Sequence, residues 1–519
     1  MKPPYNNIVG IDPELSDPSN GDYRPVPGSP AIGYGCQTFT DEGHDRPPQP
    51  PGRTLPAQGP VSRPAKPLKT GTIVVSGPIT ENTLWDAAKV EVVGDVTVEN
   101  GVTLAIAPGV LVEFQDYFEL AVQGRLLAVG TSIEKIVFTS DEPQMFTADG
   151  SRAGCWHGIR FHDTPETNGT SRLEHCILEY SKATPLSGAP FSQGKSAPSV
   201  PVFAKNQIYP YGGGAISVCG FSKLAVRSCI IRHNVALCGG AVFLYRNANP
   251  KITGNLIAGN HALENASALY CAYSYPLLSN NTIDGNVIHN NDNPYIESCA
   301  IFCFLAKPQI TNNIIRDNDP EFLYMHSQLW QNKSYYTRYN NIEGYGSEHS
   351  NIDADPLFVE PGIGDLHLSY GSPCIDAGSN AAATANGGID FEGDPRLTGG
   401  VVDIGCDEFH RHLYSTGEAA PGGCIDLRVI DTPGTTPVTV ALGSGTHNPP
   451  QPTPYGDLHL LGPLLWQRNI GAIPPKGILR YPVAIPPSVP PGGPHPFQAL
   501  LGPPAPGSQL SNLLMITID

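Results

Sequence analysis

Positive charge, long apolar runs and helical periodicity are all scarce in this sequence, and each shortage removes a class of protein. Lys and Arg total 31 against 48 Asp and Glu, a formal charge of −17. Without a basic face the chain is not expected to bind nucleic acid. A polyanionic polysaccharide would need bridging Ca²⁺ or a local basic patch. No apolar run approaches the roughly 20 residues that span a bilayer, so no transmembrane segment is expected. The opening Met1-Lys2-Pro3-Pro4-Tyr5 does not read as a signal peptide. No CxxC pair occurs among the 12 cysteines, which argues against a zinc ribbon. Buried thiols are expected instead, with a few disulfides as the alternative. No stretch keeps a capped helical period. With 56 Gly and 53 Pro in 519 residues, the chain reads as many short strands and turns.

What the sequence does hold is a repeat. Val226–Asn234 aligns with 252–260, 278–286 and 310–318. Asn234, Asn260, Asn286 and Asn318 mark one column; Cys229, Asn255, Asn281 and Asn313 mark another. Upstream of each unit lies a second alternating strand, at Ala215–Val218, Ala241–Leu244, Ala268–Cys271 and Ala300–Cys303. Parallel strands need crossovers, and a coil of three short strands supplies them by winding. Coils stack about 4.8 Å apart, so Val226, Ile252, Leu278 and Ile310 should form one interior column. The Asn columns are expected at tight turns, where Asn tolerates the left-handed conformation and its amide can bond the next coil. A leucine-rich consensus and the Ca²⁺-binding nonapeptide are both missing. The expected fold is therefore all-β: a right-handed parallel β-helix, or solenoid, over residues 71–409, closing in a cap.

Outside it, Tyr5–Ile32 echoes Tyr339–Ile375, so residues 1–36 read as the end of an upstream β-helix, and the full product is expected to start earlier. Residues 37–70 form a Pro-rich linker. Pro185–Gly214 reads as an inserted loop. Residues 410–519 carry strand-like runs at Leu427–Ile430, Val438–Leu442, Ile478–Val483 and Leu513–Ile518, which suggest a small β-sandwich-like module.

The repeat resembles the pectin-lyase-like right-handed β-helix superfamily over about Gly71–Phe409. The segment Asp390-Phe391-Glu392-Gly393-Asp394-Pro395-Arg396 with Val402–Phe409 is similar to the closing motif of bacterial secreted and surface β-helix proteins of unassigned activity. Phe497–Leu500 with Leu510–Asn512 looks like a C-terminal module of bacterial exported proteins. The resemblance implies an extracellular or cell-surface location and a polysaccharide or cell-surface partner. It also implies that a groove on the outer face of one sheet is where chemistry would occur.

Alternation makes that outer column Arg160, Ser217, Phe243, Tyr270 and Phe302, flanked by His162, Tyr245 and Phe304. An exposed ladder of Phe243, Tyr245, Tyr270, Phe302 and Phe304 would stack on sugars or on a protein; the alternative is that the 185–214 insert or a terminal segment covers it. Paired carboxylates for glycoside hydrolysis are missing from these strands. Arg160, His162 and Asp163 could begin a lyase site. Asp390, Asp394, Asp403, Asp407 and Glu408 could hold Ca²⁺, or could pair with Arg396 to close the open end of the β-helix. No other cofactor is expected. Three functions follow: a non-catalytic binder using the ladder, a polysaccharide lyase or hydrolase using the same face, or a structural spacer.

Overall fold

The computed structural model describes residues 70–148, 151–184, 211–289, 299–318, 337–383, 388–397, 400–417, 419–434, 437–453, 456–488, 492–501, 509–511 and 514–518. It adds the short strands Leu15–Asp17, Asp22–Pro25 and Leu323–His326. The linker and most of the 185–214 insert lie outside these residues. The chain divides into two units, 1–52 and 53–519.

In the larger unit, four parallel ladders run through the stacked coils among the described residues, the shortest joining Lys182–Ala183, Val235–Cys238, His261–Asn265 and Val287–Ile288. The first joins Leu120–Val122, Ile159–His162, Ile216–Cys219, Val242–Tyr245, Leu269–Ala272, Ile301–Phe304 and Leu323–His326. The second joins Leu111–Phe114, Ile136–Ser140, Cys176–Glu179, Ile230–Arg232, Leu256–Ala258, Thr282–Asp284, Ile314–Arg316 and Asn341–Ile342. The third is a 9-stranded sheet from Thr83–Trp85 to Thr337–Arg338. At the start of the stack, Thr72–Ile79 and Lys89–Val98 are long enough to serve two ladders at once.

The expected register is present. Val226 pairs with Ile252, Ile252 with Leu278 and Leu278 with Ile310, and all four are at most 1% exposed. Burying each such side chain contributes about 1.5–3 kcal/mol. The Asn amides form continuous chains. Asn255 Nδ2 donates to Asn281 Oδ1 at 2.9 Å, Asn281 to Asn313 at 2.8 Å, Asn313 to Asn340 at 3.0 Å and Asn340 to Asn351 at 2.9 Å. The second chain runs Asn234, Asn260, Asn286, Asn318 at 2.7–2.9 Å.

The left-handed turn residue is not the column asparagine, however, but the residue before it. Gly254, Gly259, Asn280, Gly285, Asn312, Asp317 and Tyr339 take positive φ. A ladder Asn must aim its amide along the stack, so the preceding residue absorbs the turn.

Residues 365–408 do not plug the end of the coil. The described residues among them, 365–383, 388–397 and 400–408, fold back along its flank as a strap over the second ladder. Leu366, Phe391 and Cys406 pack on Ile177, Ile230 and Leu256, the outward residues of that ladder. The Cys406 N–H bonds Thr282 Oγ1 at 3.1 Å, and the Gly405 N–H bonds the Asn312 carbonyl at 2.8 Å. The reason is burial: those outward side chains are apolar and would otherwise face water as one stripe.

Two antiparallel sheets follow, one of His412–Gly417, Cys424–Ile430 and Ile478–Ala484, the other built on Pro437–Thr453, Gly456–Ala472 and Gly492–Leu501. Both contribute to one core that includes Leu413, Leu427, Val438, Val440, Phe497 and Ile516. The smaller unit has one described feature, an antiparallel pairing of Leu15 with Pro25 and Asp17 with Asp22. Its register matches that of Phe358 with Leu368 and Glu360 with Asp365, the segment that the sequence echo pairs with it.

Candidate functional site

The aromatic column stands in the expected register and is closed to solvent. Phe243 pairs with Tyr270 and Tyr270 with Phe302, with ring centroids 5.1 Å apart in both steps. Phe243, Tyr245, Tyr270, Phe302 and Phe304 are 1%, 5%, 0%, 4% and 8% exposed. They form a second hydrophobic cluster with Leu237, Cys238, Ala266 and Cys299, and Tyr211 packs against it. A Cβ on Gly212 would lie 2.5 Å from the Phe243 ring. The expectation of an exposed ladder is thus corrected. The end of the 185–214 insert, the strand Val235–Cys238 and Ala266 pack on these rings, because stacked aromatics bury large areas when a neighbouring segment can reach them.

Arg160 holds that arrangement. It is 3% exposed, and Nη1 donates to the carbonyls of Gly212 at 3.0 Å and Gly213 at 2.5 Å. Nη2 donates to Gly214 at 3.3 Å and also to His157. Burial lowers its pKa to about 10, still a cation at neutral pH. His162 Nε2 lies 2.8 Å from Ser217 Oγ; burial, then the Arg160 charge, push its pKa down to about 4. Asp163 is exposed at a left-handed turn, φ 59°. Arg160 and His162 are near neighbours in the chain, but their side chains face different partners. Beside them sits a pair that sequence reasoning missed, His157 Nδ1 and Glu119 Oε2 at 2.9 Å.

The acidic residues of the strap are mostly spent on backbone amides. Asp390 Oδ1 accepts from the N–H groups of Glu392, Gly393 and Asp394, each at 2.9 Å. Asp403 accepts from Asp376 and Phe409 at 2.7 and 2.6 Å, Asp407 from Leu368 at 2.9 Å, and Glu408 from Asp403 at 3.0 Å. Arg396, fully buried, lies 4.0 Å from Glu408 and donates to the carbonyls of Asp407 and Asp403. Asp390, Asp403, Asp407 and Glu408 are therefore turn-forming groups, and Arg396 ties the strap's own turns together while reaching the coil through Asn280 Oδ1 at 3.4 Å.

Among the described residues, ligand atoms converge elsewhere. His367, Glu392 and His412 form one group within 4.8 Å, and Asp394, His410 and His412 form another. Of the five acidic candidates, only Asp394 belongs to either. Glu392 Oε2 lies 3.0 Å from both His367 Nε2 and His412 Nε2. Behind each ring stands a carboxylate: Asp365 Oδ1 is 2.7 Å from His367 Nδ1, and Asp394 Oδ2 is 3.1 Å from His412 Nδ1. Asp365 Oδ2 in turn accepts from Tyr414 Oη at 2.8 Å and Arg428 Nη1 at 2.6 Å. Burial opposes charging of these rings. The Glu392 and Asp365 carboxylates nevertheless hold His367 well above its ordinary pKa, and Glu392 and Asp394 hold His412 up to about 10. Strand alternation places Asp365 with His367, and His412 with Tyr414, on common faces. That alternation is the sequence signal that could have found them.

The family described as a right-handed beta helix region matches residues 199–351. This chain is a right-handed parallel β-helix protein. The matched span of the β-helix protein holds the Asn columns and the buried rings, whereas the His and carboxylate cluster lies beyond it. No curated protein and no solved structure gives a significant match. No helix among the described residues is long and apolar enough to cross a membrane.

Proposed function

We propose that this β-helix protein is an exported scaffold that binds a surface polysaccharide or a similar partner without cleaving it. One observation carries the reading: the outer face of the first ladder is filled by its own stacked rings, 0–8% exposed. In the superfamily the chain resembles, that face would carry substrate. Arg160, the best-placed base on that face, is engaged by four backbone carbonyls. Contact with a partner then falls on the rim of the column. There Tyr273 and Tyr275 are 38% and 52% exposed, beside an exposed Arg246. Flat rings next to a cation and Asn249 suit a sugar face and its hydroxyls.

The test is a glycan array together with an absorbance assay on uronate polymers, with and without Ca²⁺. Binding without unsaturated products is expected, weakened by Tyr273→Ala and Tyr275→Ala. Tyr270→Ala should instead lower thermal stability, by about 3–5 kcal/mol for a buried aromatic. Product formation that Arg160→Lys abolishes in a folded variant would overturn the proposal in favour of a lyase. No binding to any glycan would leave the spacer reading in its place.

A further inference from the structure

The His and carboxylate cluster at the strap takes no part in that reading, yet its geometry is specific. Three chain segments meet there: the strand Asp365–Leu368, the strap turn at Glu392, and the first strand of the C-terminal sheets, His412–Gly417. We propose that His367 Nε2, His412 Nε2 and Glu392 Oε2 bind a divalent transition-metal ion of the Zn²⁺ class, which clasps the β-helix strap to the C-terminal sheets.

Ligand type is the first argument. Two imidazoles and one carboxylate are a borderline nitrogen and oxygen set that suits Zn²⁺ and not Ca²⁺, which takes six to eight oxygens. Spacing is the second. Ligands at about 2.0–2.2 Å around a tetrahedral ion lie about 3.3 Å from one another. Both Nε2 atoms lie 3.0 Å from Glu392 Oε2, and the three atoms fall within 4.8 Å of each other. Small side-chain adjustments admit the ion.

The surroundings are the third argument. A metal-binding imidazole characteristically gives its other N–H to a carboxylate, which sets the ring's orientation and raises its basicity. Here both rings have that partner, Asp365 for His367 and Asp394 for His412. These partners are themselves anchored. Tyr414 and Arg428 hold Asp365. His410 Nε2 stands 2.8 Å from Asp394 Oδ2. The turn carrying Glu392 is tied by its own N–H to Asp390 Oδ1. Side-chain exposures of 12%, 20% and 9% leave an approach along Glu392. Three protein ligands leave a fourth position for water.

The test uses the full chain, stripped with a chelator and titrated with ZnSO4 by calorimetry and thermal melting. About one Zn²⁺ per chain should bind and raise Tm. Co²⁺ in its place should give the visible bands of a four-coordinate nitrogen and oxygen site. His367→Gln and His412→Gln should each abolish these signals. Asp394→Asn, which leaves all three ligands, should weaken Zn²⁺ affinity about 10–100-fold. The clasp is overturned if the folded wild type neither binds Zn²⁺ nor gains Tm. It is overturned equally if binding survives both His variants, or depends instead on His261, whose ring stacks on His289.

Discussion

At the scale of single residues, the interior asparagines carry more than their size suggests. Asn281 accepts from the N–H and Nδ2 of Asn255 and donates to Asn313 Oδ1 and the Ile252 carbonyl. All of these atoms are buried, so truncation strands several groups at once. Asn281→Ala is expected to cost about 3–5 kcal/mol, and Asn351→Ala, at the end of the chain of amides, about 1–2 kcal/mol. Denaturant melts of the two variants check this; equal losses would mean that the amides act independently. The columns were legible because residues in vertical register repeat in sequence. The terminal Asn351 was not, because it follows Asn340 after an irregular excursion and not a full coil.

At the scale of elements, the strap is what sequence reasoning placed wrongly. Its motif was recognised, but its direction along the stack depends on which outer face is apolar. Ile177, Ile230 and Ile314, 1–2% exposed, supply that face. Gly405 packs against it, with φ 111°, and a Cβ there would stand 2.8 Å from Ile314 Cδ1. Gly405→Ala should therefore lift the strap locally, at about 1–3 kcal/mol. Hydrogen exchange should rise at 403–408 while the coil interior at 252–257 stays protected. Unchanged exchange in the strap would show that it does not depend on close contact at this glycine. The aromatic column failed for a related reason. Alternation says which residues face outward, but a flanking strand and the end of an insert decide whether outward means wet.

At the scale of the whole molecule, several half-buried imidazoles make the coil sensitive to acid. Burial lowers His162, His233 and His261 to about 4. Each folded pKa lies below the unfolded value of about 6.5, so the unfolded chain takes up protons first as pH falls. The contribution of these three rings is then unaffected above about 6.5, declines between about 6.5 and 4, and levels below that. Tm measured from pH 7.5 to 4.5 should fall, and a His162→Gln/His233→Gln/His261→Gln variant should fall less. Parallel curves for the two proteins would remove these rings as the cause.

The repeat period, the interior columns and the parallel coil were written in the sequence, because stacking places like residues over like and that periodicity survives in one dimension. Tertiary structure alone decided that the outward rings are dry, that the acidic motif is a flank strap, and that His367, Glu392 and His412 meet. Those outcomes depend on non-repeating segments returning across the coil, and contacts of that kind leave no period to read.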